Sequence, residues 1–331
     1  MSGRVRNEHL RRIARRLNGR PARPAPFVYL AEFDAVAWDP ERELPVTLPR
    51  AETQLVPGAL HQPEVDALRP DGRYLRLDAQ PAPTTSQAGP YQAVYDICTG
   101  AVRIEDRVFY STFGPEVGPT VRVPLSRGST GGHEPTMQLF AAGTTVPIDV
   151  PLPGALRGTV GGVPVQFSPG HSKIAASTSS LDMIATTVID ISAGLTRTYQ
   201  GLLLAGTSSW SPDGRSLIVV GLAGRIPQTK SPMVLDLLSG QTHPLDLQQD
   251  RHHPHPRQAD NARVVGWVDR DHVLVTQSDT SRLILSALHQ QTGEVTWLLD
   301  LPARRSAGAE TKVMVAADVP WPREIIPSSS P

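Results

Sequence analysis

One stretch of the chain, residues 209–245, constrains the fold more than any other. Trp210 ends an apolar segment, and Pro212-Asp213-Gly214 follows it. This triplet predicts a tight turn, because Pro presets its φ, Asp tolerates the left-handed region and Gly enters it freely. Two segments rich in Val, Leu and Ile, 217–220 and 233–237, predict β-strands. Ser239-Gly240 predicts a second turn into a last strand, so the stretch has the pattern of a four-stranded unit.

The same unit recurs in three other places, 65–102, 165–196 and 264–298. Three of the four copies carry an Asp four residues before a Gly at the turn into the last strand; the pairs are Asp96/Gly100, Asp190/Gly194 and Asp236/Gly240. An Asp at this position can bond the backbone of the turn, and the Gly supplies a positive φ. The chain is therefore a repeat protein built from short strands.

Two weaker copies, at 38–41 and 113–118, fill the gaps between the clear ones. The residues that anchor the six copies are Trp38, Leu68, Phe113, Phe167, Trp210 and Trp267. They are 30 to 57 residues apart, and their mean spacing is close to one four-stranded propeller blade of about 40–50 residues. The first gap is too short for a complete blade. We expect the anchors to pack between neighbouring blades.

The run from Trp210 to Arg215, followed by Val234-Leu235-Asp236-Leu237 and Ser239-Gly240, resembles the WD-repeat-like propeller repeat of the TolB type. The resemblance implies an all-β fold: a single β-propeller of four-stranded blades, with six blades preferred and seven as the alternative. Such repeats occur in periplasmic partner-binding proteins, in accessory domains of serine peptidases and in many bacterial proteins. The resemblance therefore implies a fold and leaves the activity open.

The two ends of the chain differ from the repeat region. Residues 4–18 predict a helix, since Leu10, Ile13, Ala14 and Leu17 recur on one helical face, and a Pro-rich linker extends to residue 26. We therefore divide the chain into a basic helix and linker (1–26), a propeller (27–319) and a tail (320–331). The segment 311–316 is predicted to pair with the strand at 27–33 and to close the ring.

The predicted helix is strongly basic. Residues 1–26 hold eight Arg and one acid, Glu8, in a chain whose formal net charge is zero. The residues predicted to contact a partner or a membrane are Arg11, Arg12, Arg15 and Arg16. A protein partner, an anionic membrane surface and docking on the acidic propeller all fit such a helix, and so does a solvated tail. Nucleic acid is the less favoured partner.

No residue pattern predicts a catalytic, cofactor or metal site. His252, His253 and His255 form a cluster, but no Cys or spaced carboxylate completes a ligand set, so a solvated loop is favoured. A nucleophile elbow, Gly-x-Ser-x-Gly, is absent. The single cysteine, Cys98, cannot form an intrachain disulfide, which favours a cytoplasmic location, although disulfide-free exported proteins also fit.

The sequence favours a non-catalytic propeller that acts as a protein-binding scaffold or adaptor. The first alternative is a propeller enzyme, a hydrolase or lyase with a central polar or metal site. The second is a membrane-surface-associated sensor that uses the Arg-rich helix. Repeat architecture and the lack of catalytic motifs support the first choice.

Overall fold

The structure is a computed structural model that describes residues 17–31, 34–49, 64–79, 91–105, 120–122, 136–140, 148–151, 165–179, 184–206, 208–221, 232–247, 262–278, 282–302, 312–316 and 318–321. These residues form β-strands, turns and a single 3-10 turn at Pro169–His171. Within them, no helix has the length and hydropathy needed to span a lipid bilayer. The predicted all-β class is confirmed.

The first eleven strands of the described residues are β1 (Leu17–Asn18), β2 (Phe27–Ala31), β3 (Asp34–Asp39), β4 (Leu44–Thr47), β5 (Glu64–Leu68), β6 (Tyr74–Ala79), β7 (Tyr91–Asp96), β8 (Val102–Glu105), β9 (Thr120–Arg122), β10 (Thr136–Phe140) and β11 (Ile148–Pro151). The others are β12 (Val165–Phe167), β13 (Lys173–Ser179), β14 (Ile184–Asp190), β15 (Leu195–Gln200), β16 (Leu202–Leu204), β17 (Ser216–Gly221), β18 (Pro232–Asp236), β19 (Thr242–Pro244), β20 (Arg263–Trp267), β21 (His272–Ser278), β22 (Arg282–His289), β23 (Val295–Pro302) and β24 (Val313–Val315).

These strands form six sheets, which we number in chain order. Sheet 1 has the order β1-β4-β3-β2-β24, sheet 2 is β5-β6-β7-β8, and sheet 3 is β11-β10-β9. Sheets 4, 5 and 6 are β12-β13-β14-β15, β16-β17-β18-β19 and β20-β21-β22-β23. Five sheets thus have the four or more strands of a complete blade. Five complete blades replace the six that we predicted from the repeat.

Sheet 3, with three described strands, accounts for the difference. It comes from the part of the chain where the repeat is weakest, which includes the degraded copy at 113–118 and the Gly-rich stretch at 124–136. Phe113, the anchor predicted there, lies outside the described residues. Turn and glycine residues interrupt the alternation that marks a strand, so the sequence could not resolve this sheet.

The ring is closed by strands from the two ends of the repeat region, as predicted. Strand β24 pairs antiparallel with β2, with Phe27 opposite Val315 and Tyr29 opposite Val313. The amide of Ala316 also donates to the carbonyl of Pro26 at 2.9 Å. All three residues of β24 are buried. Strand β24 contacts both β20 and β5, so it bridges the last sheet and the second one.

Ring closure also shows that the first repeat copy, at 38–41, was assigned to the wrong strand of its blade. Trp38 does not end an innermost strand, as Trp267 does, but lies in β3 next to Asp39. Asp39 Oδ1 accepts the amides of Glu41 and Arg42 at 2.9 and 3.1 Å, so it occupies the place of Asp96 in sheet 2. Because β24 supplies the missing first strand, the first gap in the sequence is short.

The predicted N-terminal helix is not seen. Its residues 4–16 lie outside the described residues, and its last two, Leu17 and Asn18, form β1. Strand β1 pairs parallel with β4, with Leu17 opposite Val46. An open sheet edge offers these residues backbone partners that outweigh a weak terminal helical preference.

Residues beyond both predicted domain boundaries pack against sheets 1 and 2. Ala25, in the predicted linker, is fully buried and donates its amide to Gly72 O at 2.8 Å. Trp321, in the predicted tail, stacks on Phe27 with ring centroids 4.9 Å apart, and Trp38 stacks near Phe27 at 5.8 Å. The division at residues 26 and 319 itself stays a prediction.

The Asp–Gly turns form as predicted, and one geometry recurs in all five complete blades. The amide of Gly100 donates to Asp96 O at 2.8 Å, and that of Gly240 to Asp236 O at 2.8 Å. Gly100, Gly194 and Gly240 have φ of 79°, 64° and 73°. Sheet 1 has Glu43 at this position with φ 51°. In sheet 6, His289 replaces the Asp, and its Nδ1 accepts the amides of Gln291 and Thr292, each at 3.2 Å.

The core lies between neighbouring sheets, and tryptophan connects them. The indole of Trp210 donates to Gln166 O in sheet 4 at 3.0 Å. That of Trp267 donates to Ser209 O, in the segment between β16 and β17 of sheet 5, at 2.9 Å. Both rings are almost fully buried. Each therefore combines apolar packing with a hydrogen bond across a blade interface, which confirms their predicted role.

Replacing Trp210 by Ala should destabilise the whole protein. The change removes a buried indole that packs against Ala175, Val188 and Leu235 of two sheets, and truncating such a side chain costs about 3–5 kcal/mol. Denaturant unfolding measures the loss. Trp297, half-buried on the outer strand β23, is the matched control, and Trp297→Ala should cost clearly less. Equal effects would contradict the role of Trp210.

Ending the chain after Ala309 should leave the ring open. It removes β24, exposes the edge of β2 and leaves Phe27 and Tyr29 without their strand partners. We expect aggregation or loss of cooperative unfolding, measured by light scattering and calorimetry. A chain that ends after Trp321 keeps β24 and should unfold as the full-length protein does. A monomeric, cooperative 309-residue chain would contradict closure by β24.

Acid should weaken the turn of sheet 2 through Asp96. Burial alone would raise the pKa of Asp96, but the Arg73 guanidinium, 2.8 Å away, and the amides of Thr99 and Cys98 outweigh it and lower that pKa. A carboxyl group whose pKa is lowered in the folded state stabilises the fold at pH values above its ordinary pKa of about 4. This stabilisation is lost as the pH falls below that value. The stability difference between wild type and Asp96→Asn should therefore shrink below pH ~4. A pH-independent difference would contradict this assignment.

Candidate partner-binding surface

Strand β15 is the outermost strand of sheet 4. It follows the Asp190–Gly194 turn, where Asp190 Oδ1 accepts the amides of Ser192 and Ala193 at 3.1 and 3.0 Å. The turn lowers the pKa of Asp190, chiefly through the Ala193 amide. The charged carboxylate holds the turn, and the turn sets the register in which Leu195 lies opposite Asp190. Five of the six residues of β15 are exposed.

One face of β15 reaches across to the corresponding turn of sheet 5. Side chains alternate along a strand, so Leu195, Arg197 and Tyr199 share this face. The Arg197 guanidinium donates to Leu237 O at 2.9 Å, and the Tyr199 hydroxyl donates to the same oxygen at 3.4 Å. The next residue, Leu238, is 89% exposed, and Leu195 is 60% exposed. We call Leu195, Arg197, Tyr199 and Leu238 the β15 surface.

The turn that presents Leu238 is rigid. Asp236 Oδ1 accepts the amide of Ser239 at 2.6 Å and its hydroxyl at 2.8 Å, and these bonds lower the pKa of Asp236. Leu237 is buried beneath the turn, in the cluster that contains Trp210. Because Leu237 points inward and Leu238 outward, the exposed leucine is held in place by its neighbour. The β15 surface is therefore preorganised.

The backbone of β15 has a free edge on its outer side. Gly201 donates its amide to Ile184 O at 2.7 Å, so Gly201 and Ile184 form a hydrogen-bonded pair at the end of the β14–β15 ladder. Antiparallel pairs alternate, so Leu195, Arg197 and Tyr199 bond to β14. The amides and carbonyls of Thr196, Thr198 and Gln200 then point away from the sheet. No described strand pairs with this edge.

The outer strands of the other sheets are protected. Strand β4 is covered by β1, and β19 has three residues and ends in Pro244. Strand β23 is bulged opposite Leu285 and Ser286 and ends in Pro302. Strand β8 has four residues, and β11 ends in Pro151. Among the described outer strands, β15 alone is six residues long without proline, bulge or cover.

A second polar group lies where sheets 1 and 2 meet the N-terminal segment. The Arg73 guanidinium binds Asp96, and Arg20 lies against Gly100. Cys98 is half-buried beside them. Burial, and after it the Asp96 carboxylate, raises the pKa of the Cys98 thiol, so the thiol is not activated as a nucleophile. These residues hold the turn after β7 together, and this structural role accounts for their arrangement.

A histidine pair lies in sheet 6. His272 Nδ1 is 2.9 Å from Asp269 Oδ1, and its ring meets that of His289 edge to face, with centroids 5.1 Å apart. His289 Nδ1 already accepts two backbone amides, as described above. Among the described residues, no group of three or more His, Cys, Asp or Glu side chains is placed to hold a metal ion.

The site residues predicted from sequence fall elsewhere. Arg11, Arg12, Arg15 and Arg16 lie outside the described residues, so their role as contacts for a partner or membrane stays a prediction. The cluster His252, His253 and His255 also lies outside them. Sequence reasoning missed the β15 surface. The available signal was the pair Leu237-Leu238, which breaks alternation at a turn and so must expose one leucine.

The comparisons with known proteins support the fold. No family model matches the chain, and no curated protein matches it. The crystal structure of TolB from Acinetobacter baumannii is similar with a TM-score of 0.52 and 12% identity, over 88% of this chain and 66% of that one. The chain thus spans just under two thirds of that TolB.

Two further solved structures are similar to the chain. A chain of a nidogen–laminin complex is similar with a TM-score of 0.52 and 9% identity, over 88% of this chain and 98% of that one. The oligogalacturonate lyase of Vibrio parahaemolyticus has a TM-score of 0.44 and 8% identity, over 72% of this chain and 65% of that one, a similarity too low to compare sites. With its four-stranded blades and its ring closed by β24, the protein has a β-propeller fold similar to that of TolB.

Proposed function

We propose that this propeller is a non-catalytic scaffold that binds another protein through the β15 surface. The observation that carries the proposal is a pair of exposed leucines near Arg197. Leu195, 60% exposed, lies on the same strand as Arg197, and Leu238, 89% exposed, follows the Leu237 carbonyl that Arg197 binds. Large apolar side chains that a fold holds in solvent mark interaction sites. Arginine and tyrosine, the other two residues of the β15 surface, are residue types enriched at protein interfaces.

The energetics favour a protein partner for this surface. Leu238 cannot bury itself in its own chain, because the bonds from Ser239 to Asp236 hold the turn that projects it. A partner that covers Leu195 and Leu238 would remove their apolar area from water at about 25 cal/mol per Å². The ordering cost is small, since Arg197 and Tyr199 are already fixed on Leu237 O.

The fold comparison supports the same function. The similar chain in the nidogen–laminin structure is, by its description, part of a complex between proteins. The fold is thus compatible with use as a binding platform, although a fold alone hosts many functions. A cytoplasmic location, expected from the single cysteine, belongs to this proposal.

The test compares partner capture by wild type and by the double variant Leu195→Ser/Leu238→Ser. Tagged protein is incubated with a lysate of the encoding organism, and bound proteins are quantified by mass spectrometry. We expect at least one protein to bind wild type and to be recovered about tenfold less by the variant, as loss of interface anchors predicts.

Leu17 provides the matched control, because it is the third exposed leucine of the described residues, at 37%. Leu17→Ser should retain the captured protein. Both variants should unfold at the wild-type temperature, since the leucines are exposed. Equal recovery by wild type and the double variant would contradict the proposal.

A further inference from the structure

We propose that the free edge of β15 binds an extended peptide segment of a partner protein, which adds to sheet 4 as a fifth strand. This inference rests on the proposed function and names how the partner binds. The edge offers three outward amides and three outward carbonyls, at Thr196, Thr198 and Gln200. Their side chains are exposed, so the approach is open. Strand addition satisfies such groups through backbone hydrogen bonds.

The protein itself shows that its outer edges accept strands. Strand β1 adds to β4 at the outer edge of sheet 1, with Asn18 opposite Thr47 and the Gly19 amide bonded to Thr47 O at 3.1 Å. Strand β15 occupies the same outer position in sheet 4 and is two residues longer than β4. It therefore offers more backbone pairs than the edge that is already covered.

The charge of the edge favours a partner peptide over a second copy of this chain. Two copies of β15 paired antiparallel about a twofold axis would place their Arg197 side chains on one face, opposite or diagonal to each other. The strand holds no acid that could compensate. Like charges across a strand pair are destabilising, whereas an acidic residue from a different chain would pair with Arg197.

The alternation of β15 specifies the chemistry of the segment. Every second residue of an added peptide strand would lie on the face shared by Leu195, Arg197 and Tyr199. Apolar side chains opposite Leu195 and Tyr199, with Glu or Asp opposite Arg197, complement this face. On the other face, Thr196 and Thr198 suit small polar side chains. The expected pattern is apolar–x–acidic–x–apolar in an extended segment.

Thr198→Pro blocks the edge without touching the internal ladder. The Thr198 amide points outward, so proline there removes a donor that only an added strand would use. Thr198→Val is the matched control, because both variants lose the hydroxyl contact with Thr187, 3.2 Å away, and valine keeps the amide. If Thr198→Pro fails to fold, Thr196→Pro and Thr196→Val form an equivalent pair, since the Thr196 amide also points outward.

The probe is a library of linear peptides displayed on phage and selected on the wild-type propeller. Selected peptides are then synthesised, and their affinities are measured by fluorescence anisotropy. We expect peptides with the apolar–x–acidic–x–apolar pattern that bind wild type and Thr198→Val equally and Thr198→Pro about tenfold more weakly. Replacing the acidic residue of a selected peptide by Lys should also weaken binding.

Each other outcome overturns strand addition. Strand addition is contradicted if the selected peptides bind Thr198→Pro with the same affinity as wild type. It is also contradicted if no peptide is selected. If such peptides still lose binding to Leu195→Ser/Leu238→Ser, the β15 surface binds a partner by its side chains and the proposed function stands. A dimer seen by light scattering that Thr198→Pro abolishes would assign the edge to a second copy. Lysate capture judges the proposed function separately.

Discussion

The pairing of β24 with β2 is the constraint on which the rest of the ring depends. It joins residues almost 290 positions apart in the chain, Phe27 and Val315, and it adds the innermost strand to sheet 1. Loop-closure entropy opposes so distant a contact. The burial of all three β24 residues and the stacking of Trp321 on Phe27 favour it. The last strand of the chain is therefore the first strand of sheet 1.

Within each blade, local turns set the register that closure needs. A side chain at the end of the third strand caps the next turn through its backbone amides, whether it is Asp39, Asp96 or His289. A residue with positive φ completes the turn four positions later. Between blades, the indoles of Trp210 and Trp267 bond to the backbone of the neighbouring sheet. Short-range turn chemistry and long-range packing thus act on the same strands.

The outer strands of the blades differ in whether they are protected from pairing with a further strand, and this difference points to the candidate function. Every blade has one outer strand with an edge to which a further strand could add. Cover by β1, a terminal proline such as Pro244 or a bulge in β23 limits pairing at three of them. Strand β15 lacks these features, and its first residue is the exposed Leu195. A surface that is exposed, apolar in part and held rigid by its own turns is suited to binding a partner.

The sequence was enough to predict the all-β class, the positions of most strands and the turns at Asp96, Asp190 and Asp236. These features depend on alternation and on turn residues within a few positions of one another. It also indicated ring closure, because two unmatched strand segments lay at the ends of the repeats. Contacts between distant parts of the fold were needed to show that Trp38 belongs to a third strand, that Leu17–Asn18 joins a sheet and that five blades are complete. The same holds for the uncovered edge of β15, since exposure of Leu195 and Leu238 depends on what neighbouring blades place around them. Local pattern specifies strands, whereas their partners are set by contacts between residues far apart in the chain.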